Sequence, residues 1–482
     1  MKKISCLLVL AVLIGIVAPL VGCSKKKSER SFYDILITYD GATSVVGTVD
    51  FTFINQTENE LSDLKFNLYG NAYREDATVS PIDKAYEGRA FYAGESYGSM
   101  KIAGVENCAG WNVGGEDMNL LTVNLLEPVY PEQRVKIKID YTLELAKVNH
   151  RTGVCENTVN LGNFYPVLCV YEEAGFVECP YYSCGDPFLS DCANYKVNLN
   201  LPPEYTAASS GKLINESSSG ERKTLTYELE NARDFALVLS DKFQVLTADA
   251  AGVTVNYYYV KDAHAEGSLN AACRSIQYFQ EGFGKYVYPQ ISVVETGFCY
   301  GGMEYPGLTM ISDTLDEDNY IYTIVHENAH QWWYAMVGSN QLNCAWQDEG
   351  LAEYSTVLFF ENTPEYGFTR TGMVGSAVKQ YRAYFSVYNQ IFGGADTTMN
   401  RHLKEYTSDY EYANISYNKG LILFDTLRNS MGDSKFLAAL KKYYADNLYK
   451  IAGYSAICEA FKSTGLDAEP FFNSFVEGKI II

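Results

Sequence analysis

Histidine is scarce in this sequence, with five residues in 482, so any site that needs several imidazoles has few places to form. Positive charge is also short. Lysine and arginine total 38 against 59 acidic residues, for a net charge of −21 and a pI near 4.7, which argues against a nucleic-acid partner. Twelve cysteines occur without one CxxC spacing, so a cysteine-rich zinc site is not expected. No repeat period and no low-complexity tract stands out. The longest apolar run, residues 7–20, is too short for a comfortable spanning helix.

Two of the five histidines fall together in His326-Glu327-Asn328-Ala329-His330. At this histidine frequency a chance HExxH is expected roughly three times in a thousand such chains. Residues four apart on a helix differ by about 40° in direction, so His326 and His330 share a face and can ligate one metal. Glu327 points off that axis, where a base could meet water. Glu349 follows after 18 intervening residues and completes a His₂Glu set, the ligand set of a zinc hydrolase with one position open. Val325, Ala329, Trp332 and Trp333 give the motif helix a core-facing side. Nothing after His330 reads HxxGxxH, which excludes the metzincin pattern.

HExxH, 18 residues, then Glu resembles the signature of the gluzincin zinc aminopeptidases, the family of aminopeptidase N and the leukotriene hydrolase. Two flanking stretches agree. Gly301-Gly302-Met303-Glu304-Tyr305-Pro306-Gly307 is similar to the family's GxMEN loop, with Tyr305 where the family carries Asn, a wording that resembles shorter bacterial members. Tyr417-Asn418-Lys419-Gly420, 68 residues past Glu349, resembles the family's YxKG element. The resemblance implies that Glu304 holds the substrate's α-amino group and that Tyr417 faces the zinc and the oxyanion. Met303 belongs to the same loop, and Gly301 and Gly302 would admit the peptide backbone closely. Glu353, one helical turn after Glu349, is expected either to orient a histidine ligand or to lie in solvent. Tyr412 matches a second family tyrosine and is open between a site role and core packing. His150, His264 and His402 have no partner pattern.

Met1-Lys2-Lys3, the apolar run and Leu20-Val21-Gly22-Cys23 look like a bacterial lipoprotein signal, residues 1–22, with Cys23 as the lipidated residue. Residues 23–30 form a polar, basic tether suited to anionic headgroups. Removal of the leader takes away two lysines and no acid, so −21 becomes −23. The expected location is extracytoplasmic, lipid-anchored to the cell membrane. Ten cysteines then remain, an even number in an exported chain, which leaves disulfides and buried thiols as alternatives.

Residues 31–247 read as β. Phe32 to Tyr39 and Val45 to Ile54 are rich in β-branched and aromatic residues, and Val135 to Tyr141 and Tyr195 to Leu201 alternate. Residues 248–482 change to a strand at Val253 to Val260, a helix from His264 to about Phe283, and helical patterns thereafter. The expected class is therefore α+β. The resemblance implies a saddle-like N-terminal β domain followed by a thermolysin-like, mainly helical catalytic domain. The expected function is zinc-dependent removal of N-terminal residues from peptides, with one zinc per chain. A zinc endopeptidase and a non-catalytic peptide-binding lipoprotein are the rivals.

Overall fold

A computed structural model of the chain describes residues 29–480 and 482; the leader, Cys23 and the start of the tether lie outside the described residues. Strict alternation builds the first half. Phe32–Tyr39 buries every second side chain and pairs in parallel with Ala193–Leu201 on one side and antiparallel with Ser44–Ile54 on the other. Seven strands follow in the order Lys212–Ser219, Arg222–Ala232, Ala193–Leu201, Phe32–Tyr39, Ser44–Ile54, Arg134–Glu144, Ser99–Glu106. The period of two leaves one face polar and the other in the core. A four-stranded sheet built on Leu61–Asn67 and Leu120–Val129 also contributes core residues, including Leu64, Phe66, Leu121 and Val123.

A smaller sheet, Thr206–Ser209, Leu237–Ser240, Val159–Leu161 and Thr152–Val154, makes the bridge to the second half. Asn160 Nδ2 donates to Gly297 O at 3.1 Å, and Thr296 Oγ1 donates to Asn160 Oδ1 at 2.6 Å. Arg233, fully buried, donates to Ser190 O at 2.9 Å on its own side and to Lys450 O at 2.9 Å across the boundary.

The second half opens on a mixed five-stranded sheet. Gln290–Thr296 and Leu308–Ser312 are buried on both faces and pair in parallel, as strands covered on both sides do. The expected division at 247/248 falls inside the strand Gln244–Ala250. That strand is the antiparallel partner of Val253–Tyr259, so the change of sheet comes just before Gln244. Helices Ala265–Gly282 and Glu317–Ala329 pack together beside this sheet, and Trp346–Glu361 packs on Lys419–Met431. The fold is a β domain followed by a mainly helical domain, of class α+β. The ten cysteines among the described residues are all free thiols. Among the described residues no helix is long and apolar enough to cross a membrane.

Candidate metal centre and active site

Helix Glu317–Ala329 starts on Asp316, whose side chain accepts from Asn319 N, and carries acids in its first turn, as its dipole favours. Its last turn presents His326 and Glu327, with His330 at the helix end. Nε2 of His326 and Nε2 of His330 lie 3.1 Å apart. Glu349 Oε2, from the next long helix, lies 3.5 Å from the first and 3.2 Å from the second. Four ligands at ~2.0–2.1 Å in a tetrahedron stand about 3.3 Å from one another, so these separations are those of three corners around one zinc. Of the other ring nitrogens, that of His330 is hydrogen-bonded and that of His326 stands near a carboxylate. His330 Nδ1 donates to Trp333 O at 3.1 Å, and His326 Nδ1 is 3.2 Å from Glu353 Oε1. Both Nε2 atoms are thereby aimed inward at Glu349 Oε2. Glu353 is itself held by Tyr322 Oη, which donates to its Oε2 at 2.5 Å.

The charge balance also suits a cation. Burial opposes protonation of His326, yet Glu349 and Glu353 overcome it and push the imidazole up to about 10. Burial raises Glu349, but His330 and His326 outweigh it and hold the carboxyl down at about 2. Glu349 Oε2 has no hydrogen-bond partner although fully buried. A buried negative group of this kind is costly unless a positive charge meets it.

Two more buried carboxylates face the same point. Glu304, Glu327 and His330 bring ligand atoms within 4.8 Å of one another. Glu304 Oε1 and Glu327 Oε2 are both buried without a partner. Burial lifts Glu327 to about 7, with the imidazoles pulling the other way, so it can exchange a proton near neutrality. Burial, reinforced by Asp186, pushes Glu304 well above the usual carboxylate range.

The loop that carries Glu304 is clamped from two sides. Gln331, one residue past the motif, accepts from Gly307 N at 2.8 Å and donates to Tyr305 O at 3.1 Å. Tyr305 Oη donates to Asn163 Oδ1 at 2.9 Å in the β domain, and its ring lies where a Cβ on Gly162 would sit, 2.0 Å from Oη. Met303 is buried, and its sulfur accepts from Arg151 Nε at 3.2 Å, so its side chain faces the β domain instead of the cavity. Gly301 and Gly302 both line the cavity, but only Gly302 is sterically constrained. A Cβ there would lie 2.4 Å from Glu327 Oε1, so its constraint comes from Glu327.

Tyr417 lies in a π-helical turn, Asn414–Asn418, and donates to Glu349 Oε1 at 2.6 Å. Gly420 explains how it arrives there: a Cβ on Gly420 would stand 2.7 Å from Gly350 Cα, so the two helices touch at backbone distance just beyond Glu349. Lys419, fully buried, ties the same turn to Thr397 O at 2.6 Å and Phe475 O at 2.8 Å. Tyr412 is buried on the cavity wall with its ring 5.7 Å from that of Tyr417. The cavity measures about 390 Å³ and is lined from both domains. Its lining includes residues outside the zinc motifs: Asp186, in the Gly185-Asp186-Pro187 loop that also resembles the family's β domain, with Arg151; Tyr322; and at the mouth Tyr86, Arg89 and Asp409. His150 is buried against Tyr73 Oη at 2.5 Å, and His264 and His402 sit at helix starts away from the cavity.

A buried His₂Glu set beside a free carboxylate on an HExxH helix defines a zinc hydrolase centre of the gluzincin kind. Residues 267–475 match the Peptidase family M1 domain. Aminopeptidase M1-D of Oryza sativa subsp. japonica is 24% identical over 292 residues, covering 54% of this chain and 31% of the relative. Leucine aminopeptidase 2 of Aspergillus fumigatus is 30% identical over 193 residues, covering 38% of this chain and 30% of the relative. The chain thus spans under a third of the length of these curated relatives. The M1 zinc metallopeptidase of Deinococcus radiodurans shares the fold along nearly the whole chain, at a TM-score of 0.67 and 18% identity, covering 94% of this chain and 95% of that one.

Proposed function

We propose that this chain is a zinc-dependent aminopeptidase that hydrolyses the first peptide bond of peptides. One observation carries the reading: Glu304, a buried carboxylate with an unpartnered oxygen, lies within 4.8 Å of Glu327 and His330. Such a group needs a cation. A peptide offers one at its N-terminus and at no interior amide. Pairing there sets the first peptide bond over the metal ligands and excludes later ones. An endopeptidase has no use for that carboxylate, and a binding module has none for Glu327.

His326, His330 and Glu349 would hold the zinc, which when bound supplies Lewis-acid polarisation of the scissile carbonyl and acidifies water. The protein's own groups do the rest. Glu327 Oε2 takes the proton from the attacking water and passes it to the leaving amine. Tyr417 Oη donates to the oxygen that gains charge as the carbonyl becomes tetrahedral. Glu353, held by Tyr322, keeps His326 in the tautomer that ligates. A variant of the D. radiodurans enzyme has been solved with a Tyr-Ser-Ala substrate, which favours a short free peptide as the substrate here too.

The test compares a free peptide with its N-acetylated form, for wild type and Glu304→Ala. Wild type should cleave only the free peptide, and Glu304→Ala should lose about 2–4 kcal/mol in kcat/KM on it. Equal cleavage of both peptides by wild type would make this an endopeptidase. We propose further that Cys23 carries a lipid and holds the enzyme outside the cell membrane, a reading supported by the leader sequence. Cys23→Ser protein that still sediments with membranes after a salt wash would refute it.

A further inference from the structure

The cavity is strongly one-sided in charge. Six carboxylates line it, from Asp186, Glu304, Glu327, Glu349, Glu353 and Asp409, against two arginines. Arg151 is committed, because its guanidinium is ion-paired with Asp186 in a fully buried position. Arg89 is the other. It is exposed at the mouth, and no carboxylate among the described residues lies within ion-pair distance of it.

Arg89 is presented from a fixed platform. Its guanidinium lies over the ring of Tyr86, 4.9 Å from the centroid. Tyr86 Oη donates to Asp409 Oδ2 at 2.9 Å, which ties the β domain to the catalytic domain across the mouth. Tyr86 also packs on Tyr300, with centroids 4.7 Å apart, and Tyr300 Oη accepts from Asp83 N at 3.2 Å. Asn149 holds the backbone just after the Arg89 side chain, donating to Arg89 O at 3.2 Å and to Ala90 O at 2.9 Å.

The same contacts bound the distance along this wall of the cavity. Arg151 touches Met303, the neighbour of Glu304; its guanidinium lies 5.7 Å from the Tyr300 ring; Tyr300 leads to Tyr86 and Tyr86 to Arg89. Laid end to end, the steps from Arg151 to Arg89 put an upper limit of about 15 Å on their separation, so four extended residues at ~3.3–3.6 Å each suffice to span it. A peptide of three or four residues with its ammonium on Glu304, the neighbour of Met303, is therefore long enough to bring its C-terminus to Arg89. Its terminal carboxylate would otherwise meet a wall of acids, where like charges cost binding.

We infer that Arg89 is a recognition site for the free C-terminal carboxylate of tri- and tetrapeptides, so that the enzyme selects short peptides by both of their ends. The inference rests on the aminopeptidase reading and deepens it. Arg89 acts as a specificity residue: its planar fork can take a carboxylate through two parallel hydrogen bonds. Longer peptides, whose chain leaves the mouth before it ends, gain nothing from it.

The experiment uses zinc-loaded protein and peptides of three, four and eight residues, each as the free acid and as the C-terminal amide. Wild type should favour the acid over the amide by about tenfold in kcat/KM at three or four residues, as expected for one charge-assisted contact, with no preference at eight. In Arg89→Gln the acid-to-amide ratio should fall to about one, and in Arg89→Lys part of it should return. A wild-type ratio of one, or an unchanged ratio in Arg89→Gln, overturns the site. An aminoacyl amide, which keeps the α-ammonium but has no carboxylate, separates the two failures. Turnover of that amide with a ratio of one sinks the carboxylate site alone; no turnover sinks the aminopeptidase reading and the site with it.

Discussion

Substitution of Gly302 by alanine tests whether the glycine serves the catalytic base. A Cβ at Gly302 would lie 2.4 Å from Glu327 Oε1 and 2.7 Å from both its Cδ and its Cγ. Non-bonded heavy atoms need ~3.5 Å, so roughly 1 Å of movement is required. The strand has little freedom to supply it. Gly301 O accepts from Ser312 N at 2.9 Å, and Met303 is buried under Arg151. The Glu327 side chain must therefore move, and the contact at Cγ means that a rotation of the carboxylate alone does not relieve the crowding. A base displaced by roughly 1 Å costs on the order of a hundredfold in rate, or about 2.7 kcal/mol. Gly302→Ala should therefore lower kcat about a hundredfold on an aminoacyl fluorogenic substrate while elemental analysis still finds one zinc per chain. Gly301→Ala separates the alternative, because its Cβ meets nothing nearer than Thr323 Oγ1 at 3.7 Å. If the glycines served only substrate approach, both variants would raise KM and spare kcat. A Gly302→Ala enzyme with kcat within threefold of wild type refutes the argument.

Tyr417→Phe removes one donor that matters mainly in the transition state, so kcat should fall by ~10²–10³ with KM little changed; near-normal kcat would make Tyr417 a packing residue. Asp234, buried beside Asn163 and Tyr165, is pushed up to about 7 by burial, against hydrogen bonds from Phe235 N, Tyr165 and Asn163. Its folded-state pKa lies above the unfolded value of ~3.9, so it favours the folded state most below pH ~4 and loses that advantage as pH rises to about 7, by about 4 kcal/mol in all. Asp234→Asn should lack this slope; a wild-type-to-variant difference in unfolding free energy that stays constant from pH 4 to 8 would contradict it.

Strand and motif signals were local, and the sequence carried them well. Phe32–Tyr39 matches the expected strand residue for residue because its alternation is a property of eight neighbours. HExxH and Glu349 were readable because one helix and a fixed spacing set their geometry. The residues that escaped have no spacing at all. Arg151 sits beside His150, which was set aside for want of a partner pattern, and its partner Asp186 comes 35 residues later in a different loop. Tyr86 meets Asp409 across 323 residues. One missed residue did have a signal: Tyr322 stands four before His326, on the same helix face, where a donor could reach whatever holds that histidine. The strand Gln244–Ala250 was divided in two because its exposed, polar alternation gives no sign of which sheet it joins.

Tyr305 shows how a departure from a family motif can be absorbed. Its ring passes over Gly162, and its hydroxyl ends on Asn163, which in turn donates to Asp234. Gln331, just past the end of the motif helix, grips the backbone of the same loop. Glu304 is thus fixed by one contact to the metal-bearing helix and another to the β domain. The distance between Glu304, proposed to read the substrate's first residue, and the metal-ligand set is therefore set by the docking of two domains. The bridge made by Asn160, Arg233 and Tyr305 is accordingly polar and directional. Hydrogen bonds tolerate little sliding, whereas an apolar contact of equal area would permit it. On the aminopeptidase reading proposed above, cleavage must be counted one residue from the end, and that register matters more than extra adhesion.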